Sequence, residues 1–211
     1  MIVSALINDT IKLPMWFTLG RVTLIPKDGE WSVSNQRPIT CTNNVYKWYT
    51  SIIRVKNNQH LKMNYLMQID QRGGKSDCSG TTDNLIIDDA ILTDARIHRR
   101  TLSGAWIDVR KAFDSLSHSY LKRIIDLHRL PTRLAEAIKC IIDHWHVSIM
   151  IPMIGEVVTS RVIKFSNGEL QGDSLGPSIY TMAKNPISWL LRMHDGYILS
   201  AQIKKKITHL L

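Results

Sequence analysis

Apolar positions recur along the chain with distinct spacings, and each spacing predicts a different kind of element. From Asn43 or Asn44 to about Lys62, residues Val45, Trp48, Tyr49, Ile52, Ile53 and Val55 fall three and four apart, which predicts a long helix with an apolar face and Asn44 as its cap. A second helix is capped by Thr81 or Thr82 and runs through Leu85, Ile86, Ile91, Leu92 and Ala95 to about Arg100. Two more follow, over residues 120–130 and from Pro131-Thr132 to about His144, and a last one over 174–192 with Pro177 in its first turn. Pro186 is expected to kink or break that last helix. Strand patterns cover residues 20–26 and 37–40, joined by the Lys27-Asp28-Gly29 turn and a polar loop. Residues 147–152 and 158–165 read as a hairpin turning at Gly155, and 197–200 and 207–211 as strand pieces around a solvated Lys204-Lys205-Lys206 run. Residues 1–13 read as the tail of a helix ended by Leu13-Pro14, as if the chain began inside a fold.

One stretch breaks both periods. Ala105, Trp106, Ile107 and Val109 form a short apolar run of strand length, followed by a tight turn and a helix starting at Ser115 or Ser117. A carboxylate inside a buried run needs compensation, and Asp108 sits in this one. A hard cation such as Mg²⁺ would take the Asp108 side chain and the Val109 carbonyl, while backbone N–H groups through Arg110, Lys111 and Ala112 face a polyphosphate. The Phe113 ring is placed to stand behind a nucleotide sugar and exclude a 2′-hydroxyl. The same residues read equally well as a strand-end carboxylate paired with Arg110 or Lys111 and a core aromatic. Asp114 reads as a structural helix cap. A second anchor is the glycine-bracketed loop 167–177, which carries Gln171 and Gly172 ahead of the last helix and would set Gln171 beside whatever Asp108 holds.

Composition narrows the classes. The 211 residues are 44% hydrophobic and 21% charged, enough to bury a real core without staples. Cys41, Cys78 and Cys140 show neither zinc nor disulfide spacing, which fits a reducing intracellular setting, nucleus or cytoplasm undistinguished. No apolar stretch approaches the ~20 residues of a membrane span, and no signal peptide is read at the start. The net charge is +9, and residues 1–63 hold eight Lys or Arg against three Asp or Glu. That excess favours a polyanionic partner, although a basic solvated surface gives the same balance. Lys27 and Arg37 fall at the two ends of one hairpin, and Arg72-Gly73 in a basic glycine-bearing loop, where each could meet phosphates. The adjacent Asp88 and Asp89 read as a solvated helix face, and His144-Trp145-His146 lacks a third ligand nearby.

Taken together, Gly20-Arg21 through Ile25-Pro26-Lys27, Arg37-Pro38-Ile39, Gln71-Arg72-Gly73, Asp108 through Asp114, and Gln171-Gly172-Asp173-Ser174-Leu175 resemble, in order, the blocks of reverse transcriptases of the non-LTR retrotransposon type. The resemblance implies an α/β (α+β) fold, the fingers and incomplete palm of a right-hand polymerase, with a small antiparallel sheet backed by helices. It implies fingers over residues 1–100 and a partial palm over 101–211. Carried over by position, Lys27 and Arg37 hold the incoming triphosphate, Asp108 and Val109 bind metal, Lys111, Ala112, Phe113, Gln171 and Gly172 line the nucleotide, and Arg72 and Gly73 contact the template. Two Mg²⁺ ions, an RNA template, a DNA primer and dNTPs are the implied cofactors and partners. The family's second metal-binding motif, two adjacent aspartates after the Gln171 helix, has no match here; thumb, endonuclease and DNA-binding regions are also unmatched, and Gly176 stands where the family commonly has Ser. Whether the chain is itself an enzyme is therefore open. The expectation is an inactive fragment of an RNA-directed DNA polymerase, with a catalytically silent RNA-binding remnant as the alternative; a cyclase is disfavoured by Gln171-Gly172.

Overall fold

The computed structural model describes residues 13–26, 36–74 and 78–199, and the backbone of 206–207. Lys27, the turn after it and residues 1–12 lie outside the described residues, as does the Lys204-Lys205-Lys206 run apart from the backbone of Lys206.

The strand pattern translates into one sheet. β1 (Leu19–Pro26) and β2 (Gln36–Cys41) pair antiparallel, Arg21 opposite Cys41 and Ile25 opposite Arg37. β3 (His146–Met153) runs parallel to β1, with Leu19 opposite His146 and Thr23 opposite Met150. β4 (Glu156–Thr159) folds back on β3 across Ile154-Gly155, and β5 (Ile163–Lys164) pairs with the start of β3. The sheet is therefore mixed, which corrects the antiparallel expectation at the β1–β3 pair. Alternation marks a strand but not the direction of its neighbour, and the helical stretch between β1 and β3 is long enough for a parallel crossover.

The helices are α1 (Met15–Thr18), α2 (Asn44–Met63), α3 (Thr81–Ile97), α4 (His118–Leu127), α5 (Thr132–Asp143) and α6 (Gly176–Leu191). Asn43, not Asn44, caps α2: its Oδ1 accepts the Tyr46 N–H at 2.8 Å, while its Nδ2 donates to the carbonyls of Trp16 and Phe17. One side chain thus ties α1 to the start of α2. Ser117 caps α4 by accepting the Tyr120 N–H at 3.2 Å, the role expected of Asp114. α3 starts after Gly80 with no side-chain cap, so neither Thr81 nor Thr82 performs that role.

The described residues divide into two compact units, one drawn from residues up to His60 plus Arg110–Ile179, the other from Leu61–Val109 plus Tyr180–Leu211. In the first, Tyr46, Tyr49, Ile53, Leu121, Ile125, Ile138, Ile141, Ile142, Trp145, Leu170 and Leu175 are fully buried and form the core. α4 and α5 each present a strongly apolar stripe to it, and Lys122–Asp143 and Lys139–Asp126 ion pairs join them on the solvent side.

In the second unit, Asp94 accepts from the Tyr197 hydroxyl at 2.6 Å, and Arg100 donates to the Ile198 carbonyl at 2.7 Å. Asn185 bridges the Leu66 carbonyl and the Gln68 N–H. That anchoring, with Met182, Ala183 and Ser188 buried, accompanies an α6 that continues through Pro186 without the break that a proline can impose. β6 (Tyr197–Ile198) pairs with β7 (Lys206–Ile207).

The run over 103–109 is not a buried strand. Its backbone is irregular, and Trp106 and Ile107 are 80% and 87% exposed. A strand owes its hydrogen bonds to its neighbours, and among the described residues none pairs with this run.

Candidate functional site

The first unit joins two segments that lie more than fifty residues apart. The turn 110–117 reverses through Lys111 at φ +51°, and the Ser115 hydroxyl closes it by donating to the Ala112 carbonyl at 2.9 Å. The loop 167–176 is laced to this turn at every level. Glu169 N–H donates to the Phe113 carbonyl, Gly168 N–H to the Leu116 carbonyl, and Asn167 Nδ2 to the Asp114 carbonyl at 2.6 Å. Gln171 Nε2 donates to the Asp114 carboxylate at 3.3 Å, and His118 Nε2 lies 3.0 Å from the Gly168 carbonyl oxygen.

Two glycines make this approach possible. Gly168 has φ +84°, and a Cβ there would lie 2.9 Å from Asp114 Cα. Gly172 has φ +113°, and a Cβ there would lie 2.6 Å from the Thr40 carbonyl oxygen. Beside it Thr40 N–H donates to the Gln171 carbonyl at 2.7 Å, so the loop also clasps β2, the strand that carries Arg37.

Beneath the loop lies a polar network that periodicity could not reveal. Asp173 is buried and accepts from the Thr50 hydroxyl at 2.8 Å and the Tyr46 hydroxyl at 3.2 Å, and backbone N–H groups of Ser174 and Leu175 also serve it. Trp145 Nε1 donates to the Tyr46 oxygen at 2.7 Å. Burial, with the Asp173 charge beside it, holds the Tyr46 phenol well above its usual range.

Glu169 is buried as deeply, yet among the described residues neither carboxyl oxygen has a hydrogen-bond partner. Burial first and Asp173 second push its pKa up to about 9. Burial also raises Asp173, but its hydrogen bonds oppose the shift. Of the two carboxyls, then, Asp173 has donors that favour its charged form, and Glu169, with none among the described residues, is the one burial holds protonated. In the sequence, the sign of this network is the presence of Glu169 and Asp173 within the glycine-bracketed loop.

The remaining predicted residues are distributed as follows. Ala112, Phe113, Gln171 and Gly172 meet in the laced segments of the first unit; Lys111 is exposed in the same turn, and Arg37 is exposed on β2. The Phe113 ring and the Glu169 carboxyl flank the open side of Gly176, where a Cβ would meet them at 3.9 and 3.6 Å. Asp108 and Val109 belong to the second unit, both exposed. So do Arg72 and Gly73: the Arg72 guanidinium lies 3.6 Å from Asp83, and Gly73 faces open space. His144 and His146 turn their Nδ1 atoms to the backbone carbonyls of Cys140 and His144. Among the described residues no group of three or more His, Cys, Asp and Glu side chains could hold a metal, and no helix is long and apolar enough to cross a membrane.

The 110–117 turn with Phe113 is thus hydrogen-bonded to the loop that carries Gln171, Gly172 and Asp173, and that loop to the strand that carries Arg37, Pro38 and Ile39. The sequence profile of the reverse transcriptase (RNA-dependent DNA polymerase) family matches residues 25–207, and the chain belongs to that family. It is of the non-LTR retrotransposon type. It is similar to the retrovirus-related Pol polyprotein from type-1 retrotransposable element R2 of Popillia japonica, 28% identical over 87% of this chain and 25% of the relative. The corresponding R2 polyprotein of Nasonia vitripennis is 24% identical over 90% of this chain and 18% of the relative. That from type-2 element R2DM of Drosophila melanogaster is 25% identical over 81% and 15%. The chain thus spans about a quarter or less of the length of the curated relatives it matches.

Proposed function

We propose that this chain is the nucleotide- and template-holding part of a non-LTR RNA-directed DNA polymerase, with fingers over residues 1–100 and a partial palm over 101–211. The observation that carries this reading is the lacing of the Lys111–Asp114 turn, the Gln171-Gly172 loop and the Arg37 strand into one cluster. In it Lys111 and Ala112 offer backbone N–H groups to a triphosphate, Phe113 stands against the sugar, and Gln171 and Gly172 border the base and primer end. Arg37 and Lys27 contribute cationic groups to the phosphates, and Arg72 and Gly73 follow the RNA template.

Asp108 and the Val109 carbonyl are hard oxygens of the kind Mg²⁺ accepts. In a complete site, ions held by such oxygens would supply charge stabilisation to the attacking and leaving oxygens of the transfer. The donor set here is partial, because no pair of adjacent aspartates follows Gln171. The 211-residue chain is accordingly inactive as a polymerase on its own. Primer extension on an RNA template with dNTPs and Mg²⁺ is expected to give no product. Extension by this chain that disappears in Asp108→Ala would overturn the assignment of inactivity.

A second reading, a silent RNA-binding remnant, is favoured by the exposed, irregular backbone around Asp108 and by the basic excess over residues 1–63. The two separate on one measurement. A nucleotide-holding site binds template–primer more tightly when the complementary dNTP is added, whereas a remnant is indifferent to it.

A further inference from the structure

α2 has two apolar faces. Tyr46, Tyr49, Thr50, Ile53 and Asn57 turn into the core, while Val45, Trp48 and Val55 form a second stripe, with Trp48 58% and Val55 59% exposed. Ile52 belongs to this stripe and also to the wall of a cavity of about 320 Å³ between α2 and α5. Ile52, Ile53, Leu134 and Ala137 give that groove an apolar floor, and Lys56 and Arg133 stand at it as cations with no ion-pair partner among the described residues. An apolar floor with a charged rim is the anatomy of a protein-docking surface, and a slot between two helices takes a third helix. Its two cations select an acidic occupant. A second copy of this chain is a poor one, since the net charge of +9 sets two copies to repel. RNA could meet Lys56 and Arg133 through its phosphates but would leave the floor of Ile52 and Leu134 without apolar partners, so the groove favours an occupant that carries both apolar and acidic side chains.

We propose that the α2–α5 groove and the Trp48 stripe beside it dock an acidic amphipathic helix of a partner protein, its apolar side chains seated on Ile52 and Leu134 and its carboxylates meeting Lys56 and Arg133. The proposal does not depend on the polymerase reading, since none of these residues belongs to the nucleotide cluster.

The probe is a synthetic amphipathic peptide of about fifteen residues, some four helical turns, with Leu on one face and Glu on the other, and a twin with every Glu replaced by Lys. The acidic peptide should bind in fluorescence anisotropy. The exposed double swap Lys56→Glu/Arg133→Glu should weaken it by about tenfold and shift preference to the Lys twin, and Leu134→Asp should remove binding of both. The equal charge change Arg161→Glu/Lys164→Glu on the β3–β4 side should leave the preference as it was. Binding that follows net charge alone, with both double variants equivalent, overturns the proposal. So does a dimer that the groove swap dissolves in light scattering, or RNA displacing the peptide from the groove. Circular dichroism checks that each variant folds, and the surface swap decides the matter if Leu134→Asp does not.

Discussion

Glu169 and Asp173 sit four residues apart in one loop, both pushed up by burial, but hydrogen bonds oppose the shift only at Asp173. Glu169 holds its proton up to about pH 9 in the folded chain but releases it near its ordinary value of 4.5 once unfolded. Between those values the folded state binds more protons, so this group's contribution to stability falls as pH rises across the window. Asp173, raised as well, contributes in the same direction. Glu169→Gln, which keeps the neutral shape, is expected to flatten the fall in melting temperature between pH 6.5 and 9; an unchanged slope would show that Glu169 does not hold the proton. Tyr46→Phe removes a donor to Asp173 and the acceptor of Trp145, and should cost roughly 1–3 kcal/mol in urea unfolding. Gly172→Ala combines a left-handed φ with a Cβ driven against the Thr40 carbonyl, and should cost about 2 kcal/mol or more.

At the scale of elements, Asn43 makes the most local contribution. Asn43→Ala loses both the α2 cap and the tie to α1, and should lower stability by about 1–2 kcal/mol. Thermal melts against an Asn44→Ala control, which should change little, would test this. α2 also shows what the sequence could and could not disclose. Its spacing predicted the helix to within a residue or two at each end, but pointed to Val45, Trp48 and Val55 as part of the inward face. They are exposed because the buried side is fixed partly by polar partners: Thr50 bonds Asp173, and Asn57 bonds Ser178. Apolar periodicity carries no record of such contacts. The run over 103–109 fails for a related reason, since a strand's pattern lies in its own residues but its hydrogen bonds lie in its neighbours. Pro186 illustrates the converse, a local breaker set in a helix whose packing holds.

At the scale of the molecule, five short blocks were legible in order, and the family match bears out the resemblance they carried. The structure adds that three of them, the Arg37 strand, the Phe113 turn and the Gln171 loop, form one hydrogen-bonded cluster. No spacing rule could supply that, because the contacts cross more than fifty residues and depend on Gly168 and Gly172 having no side chain. The glycines were legible; the surfaces they admit were not.

The cluster of the 110–117 turn, the 167–176 loop and the Arg37 strand is proposed to hold nucleic acid and nucleotide together. The most direct measurement is the affinity for a fluorescent RNA template–DNA primer over a series of salt concentrations, for the chain and for Arg37→Ala, with and without the complementary dNTP. Affinity is expected to fall steeply with salt, Arg37→Ala to reduce the slope by about one phosphate contact, and the dNTP to tighten binding only where Arg37 is present. Absence of binding at low salt, or binding indifferent to both Arg37 and the dNTP, would contradict it.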